Sequence, residues 1–201
     1  MIDTLQEQFS SFESDPVQPV RIARMRVEDI EHVSRLERKC YSLPWSSSAY
    51  VTEVHNHSAY YSVAKDMDGV VVGYAGMWVT MAEMHITTIA VDPDRRGERF
   101  GERLLIDLID IGHKRGATHA TLEVREHNRP ARNMYLKYGF IDVAQRRHYY
   151  SDNGENAIIM WATDLYDPRF LARLRELKKQ AGPIIPPPDG HNNDERTRRW
   201  M

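Results

Sequence analysis

From Ile89 to Leu105 the chain reads Ile-Ala-Val-Asp-Pro-Asp-Arg-Arg-Gly-Glu-Arg-Phe-Gly-Glu-Arg-Leu-Leu: an apolar strand, a basic glycine turn and the start of a helix. A helix start leaves about four backbone N–H groups without partners, and aligned peptide dipoles place roughly half a positive charge there. Gly97 and Gly101 let the backbone approach a ligand closely, and Arg95, Arg96 and Arg99 add charge, so the expected ligand carries phosphate. The plainer alternative is a surface turn whose arginines are solvated. Two nucleotide readings fail, because no Gly-Lys-Ser/Thr ending closes the turn and no three-glycine fingerprint precedes an acidic residue about 20 positions on. A less familiar pyrophosphate carrier is left.

The remaining chain is long enough to build a domain around that turn. With 201 residues, 41% hydrophobic and 28% charged, one globular domain with tails is expected. A net charge of −2 argues against direct nucleic-acid binding, and no run approaches the ~18 apolar residues that span a bilayer. No basic-then-apolar leader opens the sequence, and the single cysteine, Cys40, forms no internal disulfide, which together predict a cytoplasmic protein. A lone cysteine reads as a small buried hydrophobe rather than a nucleophile. The histidines, His85, His113, His127 and His148 among them, lack paired ligand spacing, so no metal is expected.

Residues 1–19 mix Gln, Ser, Glu, Asp and Pro without periodicity and are expected to be a disordered tail. The domain is expected over 20–165. Val20, Ile22 and Met25 suggest a strand, Ile30, Val33 and Leu36 a helix, and Ser46 the cap of a short helix ending near His55. Tyr60–Lys65 and Val70–Thr80 flank Asp66-Met-Asp-Gly69 as an antiparallel hairpin, and Glu83–Val91 follows as a strand. Beyond the glycine turn, Leu104, Leu105, Leu108 and Ile109 share a helix face that Gly116 ends. Ala120, Leu122 and Val124 then alternate inward, which sets Thr121 and Glu123 on the other face. Asn128 caps a helix with Pro130 in its first turn, and Ala131, Met134, Tyr135 and Tyr138 share its apolar side. Phe140–Tyr150 and Ala157–Thr163 form a second hairpin around 151–156. A C-terminal extension over 166–201 holds a short amphipathic helix with Phe170, Leu171, Leu174 and Leu177, then a proline-rich, basic tail.

The strand–turn–helix, Glu123 and Tyr135 together resemble the GNAT acetyltransferases. Their Arg/Gln-x-x-Gly-x-Gly/Ala signature falls on Arg96-Gly-Glu-Arg-Phe-Gly101, with Arg99 where the family has its first glycine. If that position requires positive φ, the non-glycine residue is strained by about 1 to 2 kcal/mol. Within the family the chain is similar to the RimI-like ribosomal-protein alanine N-acetyltransferases. Leu43-Pro-Trp-Ser46, Leu122-Glu-Val-Arg-Glu-His-Asn128, Met134-Tyr-Leu-Lys-Tyr-Gly-Phe140, Arg146-Arg-His-Tyr-Tyr150 and Asn153-Gly-Glu-Asn-Ala-Ile-Ile-Met160 carry that likeness.

The resemblance implies an α/β GNAT fold, with a mixed, mostly antiparallel central sheet flanked by helices and splayed to admit donor and acceptor from opposite sides. It implies acetyl-CoA as co-substrate, held by Ile89, Ala90, Val91, Arg96, Gly97, Glu98, Arg99, Phe100, Gly101, Glu102 and Asn128. Glu123 is the implied general base and Tyr135 the implied general acid. Leu43, Trp45, Tyr149 and Tyr150 match acceptor-side loops. These residue types suit direct transfer, since an α-amine of pKa about 7.7 to 8.0 must lose a proton to attack a thioester and a leaving thiolate must gain one. The implied acceptor is the N-terminal amine, alanine favoured, of a small-subunit ribosomal protein, the eighteenth being the family substrate. Two alternatives stay open: a GNAT acting on a lysine or small-molecule amine, and a non-catalytic acyl-CoA-binding or ribosome-associated module.

Overall fold

The computed structural model describes residues 17–186. Of the tail expected to be disordered over 1–19, residues 1–16 lie outside the described residues, as does the last part of the proline-rich, basic tail, 187–201. The elements run β1 (Val20–Arg24), α1 (Ile30–Cys40), α2 (Ser47–His55), β2 (Ala59–Lys65), β3 (Val71–Thr80), β4 (Glu83–Val91), α3 (Phe100–Lys114), β5 (His119–Arg125), α4 (Arg129–Lys137), β6 (Ile141–Arg146), β7 (Ala157–Ala162), α5 (Pro168–Ala181) and β8 (Ile184–Ile185).

Local chemistry explains most boundaries. The Ser46 side chain accepts from Ala49 N to start α2, and Asn128 accepts from Ala131 N to start α4. In the first hairpin Asp66 Oδ1 accepts from the N–H groups of Asp68 and Val70, while Gly69 takes φ +84°, as a tight turn needs. The second hairpin is shorter than its composition suggests. Strand β6 stops at Arg146, so Tyr149 and Tyr150 fall in a loop.

Among the described residues one eight-stranded sheet, in the order β6-β7-β5-β4-β3-β2-β1-β8, carries the fold. Its β4–β5 and β1–β8 ladders are parallel and the other five pairs antiparallel. Six successive residues of β2 are buried, which requires cover on both faces. On one face Tyr61, Val63 and Tyr74 pack with Ile30, Val33 and Leu36 of α1 and Tyr50 of α2. On the other, Tyr60, Met77 and Met84 pack with Leu104, Leu105 and Leu108 of α3 and with Phe170, Leu174 and Leu177 of α5. Past Leu165 the chain therefore supplies a core helix. It then adds β8, beside Val20 and Arg21 of β1, where the sequence suggests only an extended run.

Two irregularities in β4 shape everything near the glycine turn. First, β4 and β5 pair only from Glu83↔His119 to Ile86↔Leu122, although β4 runs to Val91 and β5 to Arg125. Beyond Ile86 the two strands part, and this is the splay implied by the resemblance. Second, the β3–β4 register jumps from Gly76↔Thr88 to Met77↔Ile86, so Thr87 is the extra residue of a bulge. Tyr61, the partner of Gly76 on β2, lays its ring over that glycine and meets Thr87 Oγ1 with its hydroxyl at 3.0 Å. A Cβ at position 76 would lie 2.1 Å from the Tyr61 ring. Gly76→Ala is therefore expected to displace Tyr61 from Thr87 and to cost about 1 to 3 kcal/mol, the range for overpacking a core, as read from a chemical-denaturation midpoint.

Candidate active site

The parted strands create the site. Between Thr87 and Val91, β4 has β3 on one side and no β5 pairing on the other, so its outward backbone groups are open to a ligand lying along the strand. Side chains from the end of α1 reach two of its carbonyls. Cys40 Sγ donates to Val91 O at 3.5 Å, and the Tyr41 hydroxyl donates to Ile89 O at 3.4 Å while meeting Thr88 Oγ1 at 3.2 Å. Burial pushes the Cys40 thiol up, and it pushes the Tyr41 phenol up to about 12, so both keep their protons at neutral pH.

Below that edge the chain turns into α3. Gly97 has φ +90° and Arg99 φ +61°, so the position where the signature has glycine does adopt the left-handed region, and the arginine there bears its strain. The three arginines expected to line the turn are used differently. Arg95 pairs with Glu98 at 2.6 Å and Asp66 at 3.0 Å. The Arg99 guanidinium donates to Gln180 O near the end of α5 at 2.5 Å, which ties the turn to the C-terminal helix. Arg96 is exposed beside the Cys40 thiol. A residue the sequence does not single out holds the turn from beneath. The buried Arg103 donates to Glu98 O at 2.7 Å, to Arg99 O at 3.4 Å and to Gln18 O at 2.5 Å. Burial pulls Arg103 down to about 10, which leaves it charged at neutral pH. Phe100 is buried between Arg95 and Arg103, with ring distances of 5.3 and 4.6 Å, so it can offer a ligand its backbone but not its ring. Glu102 points to Lys137 at 2.6 Å and Tyr138 at 3.0 Å, joining α3 to α4. Gly101 would accept a Cβ at ordinary contact distance from Met134 and Val91. What the turn presents is the row of N–H groups at the start of α3.

Glu123 stands on β5 one residue beyond the last β4–β5 pair, with its side chain only 14% exposed. One oxygen lies 3.2 Å from Arg146 of β6, and the other lies 3.4 Å from His85 Nε2 of β4. Tyr135, on the inner face of α4, is 6% exposed and packs against Phe140. Burial, with the phenols of Tyr41 and Tyr150 nearby, raises Tyr135 well above an ordinary tyrosine, so it holds its proton throughout the neutral range. Tyr150 is raised mainly by burial and also by Tyr41 and Glu123, so it borders the space around the Glu123 carboxylate.

The two aromatic loops meet over that space. Ser42, in the loop between α1 and α2, donates to Asp152 in the loop between β6 and β7, and Asp152 pairs with Arg125 of β5 at 2.7 Å. Arg125 also pairs with Glu155 at 3.1 Å and lies 3.9 Å above the Tyr150 ring. Glu155 further accepts from His127 N at 2.9 Å, and these contacts hold its carboxyl down to about 2. So Arg125 of Leu-Glu-Val-Arg and Glu155 of Asn-Gly-Glu-Asn are partners in a clamp that positions Tyr149 and Tyr150. In the facing loop Leu43 and Trp45 are exposed, and the Trp45 N–H is fixed by Glu37, whose other oxygen accepts from the Tyr50 hydroxyl. An open groove lined by Trp45, Ser46, Ala49, Thr52 and Glu53 leads away from the loop. Asn128 caps α4 at the edge of the site. Sequence reasoning missed Tyr41, His85, Arg125, Arg146 and Glu155. His85 and Arg125 carry a local signal of face alone: His85 alternates with Ile86 along β4, and Arg125 lies two residues after Glu123 along β5.

Among the described residues no helix is long and apolar enough to cross a membrane, and no three His, Cys, Asp or Glu side chains converge as metal ligands would. The "Acetyltransferase (GNAT) family" description matches residues 30–140. A Bacillus subtilis (strain 168) protein described as a putative ribosomal protein bS18-alanine N-acetyltransferase is 38% identical over 143 residues, covering 71% of this chain and 94% of its own. The Escherichia coli (strain K12) ribosomal protein bS18-alanine N-acetyltransferase is 32% identical over 141 residues, 69% of this chain and 94% of its own. The crystal structure of the Escherichia coli ribosomal-protein-S18-alanine N-acetyltransferase superposes with a TM-score of 0.65 at 30% identity, covering 71% of this chain and 92% of that one.

Two measurements check the local energetics. Arg99→Ala loses the Gln180 tie and keeps the left-handed backbone, whereas Arg99→Gly removes the strain; the glycine variant is expected to be more stable than the alanine variant by about 1 kcal/mol in denaturant titrations. The Glu155 carboxyl titrates near 2 when folded against an ordinary 4.5, so its clamp stabilises the protein above about pH 4.5 and fades as the pH falls toward 2. Glu155→Gln is expected to flatten the loss of stability across that window, measured as unfolding midpoints at successive pH values.

Proposed function

This chain belongs to the GNAT acetyltransferase family, and from that premise we propose that it moves the acetyl group of acetyl-CoA directly to the N-terminal amine of a protein, with alanine the favoured first residue and a small-subunit ribosomal protein the natural acceptor. The observation that carries this reading is the place of Glu123, one residue beyond the last β4–β5 pair, with Tyr150 electrostatically linked both to it and to Tyr135. The description and length of the Bacillus subtilis and Escherichia coli relatives support the choice of acceptor.

The residues fit a diphosphate-bearing thioester donor. The outward N–H groups of Ile89 and Val91, on the side of β4 that β5 leaves unpaired, suit an extended amide-containing arm. The N–H groups opening α3, across a turn pinned by Arg103, suit the diphosphate. Bound there, acetyl-CoA supplies an acyl group already activated as a thioester. Backbone N–H groups beside Val91 polarise its carbonyl. Glu123 takes a proton from the acceptor amine, so that an uncharged nitrogen attacks; Arg146 fixes the direction of one of its oxygens. Tyr135 holds its proton until sulfur departs, then gives it up from the hydroxyl, a role that suits a phenol which burial keeps neutral. The loops carrying Leu43, Trp45, Tyr149 and Tyr150, latched by Ser42 and Asp152, cover the acceptor and exclude water. No step passes through a covalent enzyme intermediate.

Calorimetry with acetyl-CoA, followed by mass spectrometry of alanine-starting and lysine-containing peptides, tests the reading. The expected product is acetylated at the α-amine. Acetylation confined to lysine would move the acceptor to side chains, and binding without any product would make the chain a non-catalytic cofactor-binding module. Glu123→Gln is expected to lower kcat at neutral pH by about a hundredfold with acetyl-CoA affinity unchanged, and Tyr135→Phe to slow transfer comparably. A full rate in either variant removes that residue from its role.

A further inference from the structure

The proton Glu123 takes must leave before the next turnover. Its side chain is only 14% exposed, Arg146 occupies one oxygen at 3.2 Å, and an acceptor seated under the two loops closes the route back to water. Its second oxygen faces a row of side chains that the catalytic reading does not use. The first is His85, whose Nε2 lies 3.4 Å from Glu123. His85 Nδ1 lies 2.8 Å from Thr121 Oγ1, and the Thr121 hydroxyl donates to Glu83 Oε1 at 2.8 Å. The other oxygen of Glu83 lies 3.5 Å from His119 Nε2, at the far end of the seam, where the Glu83 side chain is 47% exposed.

Parity builds this row. Positions 83 and 85 of β4 and 119, 121 and 123 of β5 lie on one face, with Glu83↔His119 and His85↔Thr121 directly paired. The parallel stretch of only four pairs thus runs from the split to the solvent.

The hydrogen bonds of the row have one direction. An ionised Glu83 accepts only, so the Thr121 hydroxyl donates to it. Having spent its proton there, Thr121 oxygen accepts from His85, which places the His85 proton on Nδ1 and leaves the Nε2 lone pair facing Glu123. The resting row is arranged to receive at Glu123 and to release at Glu83.

We propose that His85, Thr121 and Glu83 form a proton outlet behind Glu123, passing the proton taken from the acceptor amine along the β4–β5 seam to water beside Glu83 and His119. This rests on Glu123 being the base. In the transfer, protonated Glu123 gives its proton to His85 Nε2 and returns to carboxylate, His85 Nδ1 gives its proton to Thr121, and Thr121 gives its own to Glu83. Glu83 loses it to water. Rotation of the Thr121 hydroxyl and a tautomer change of His85 restore the row, and one proton has moved with no change of oxidation state. The groups that bear on the row are Arg146 and Tyr150 at the Glu123 end, the Trp78 ring 6.2 Å from the His85 ring, and His119 and Thr118 at the exit. Thr121 and His85 are therefore positioning residues for Glu123, and they do not touch the acyl group.

Steady-state rates with acetyl-CoA and a synthetic alanine-starting peptide test the outlet in the full chain. Thr121→Val keeps the shape and cuts the row; it is expected to lower kcat about tenfold, less than loss of an acid–base group, with KM for acetyl-CoA unchanged and a larger solvent deuterium isotope effect. Imidazole buffer is expected to restore the rate, and Thr121→Ser to retain it. Glu83→Gln is expected to behave like Thr121→Val. Wild-type kcat and isotope effect in Thr121→Val and Glu83→Gln, beside an inactive Glu123→Gln, would overturn the outlet and leave the base in place. A loss in Thr121→Val that buffer does not restore would overturn it as well. A fully active Glu123→Gln would instead overturn the assignment of the base.

Discussion

Two parallel strands that pair for four residues and then separate are the constraint on which this protein depends. Backbone N–H and C=O groups inside a sheet need partners, and an unpaired buried group costs as much as a lost hydrogen bond. Where β4 leaves β5 after Ile86, the open groups of Thr87 to Val91 are offered to Tyr41, to Cys40 and to a ligand instead. The Thr87 bulge, held by Tyr61 across Gly76, adds the bend that turns β4 away. Glu123 reaches the gap only because its strand stops pairing one residue earlier.

Around that gap, segments far apart in the chain are fastened by charged hydrogen bonds rather than by apolar packing. Arg125 gathers Asp152, Glu155 and the Tyr150 ring, and Ser42 joins the opposite loop to Asp152. Charge-assisted bonds of this kind fix direction as well as distance, which aromatic loops with exposed Leu43, Trp45 and Tyr149 do not achieve by burial. The glycine turn is fastened in the same way. Arg103 binds its carbonyls from inside, and Arg99, strained at φ +61°, is tied to Gln180. The C-terminal helix is thus a neighbour of the donor turn, and its Phe170, Leu174 and Leu177 complete the core beneath it.

The sequence makes the elements legible because their causes are local. Ser46 and Asn128 cap the residues three positions on, Gly69 accommodates its own turn, and Leu104, Leu105 and Leu108 mark a face within two helical turns. It also places Glu123 on the face opposite Leu122, and the family resemblance attaches a role to it. The partners of Glu123 were not legible. His85 and Arg146 meet it through strand pairings that no local period encodes, and the strand order itself interposes β7 between β5 and β6. The second hairpin is shorter than the sequence suggests for a related reason. Arg146 to Tyr150 carries strand-like residues, but the contacts of Tyr150 with Arg125 and of Asp152 with Ser42 draw the chain out of the ladder.

What the amino-acid order determined alone is the alternation of strands and helices, the helix start at the basic glycine turn, and the face each apolar residue presents. These follow from backbone sterics and capping within a few residues. What the tertiary structure alone decided is which distant groups become neighbours: His85 with Thr121, 36 positions apart, Arg125 with Glu155, 30 apart, and Arg99 with Gln180, 81 apart. Such pairs form when the sheet register and the packing of both its faces are satisfied together, and that condition belongs to the whole chain rather than to any stretch of it.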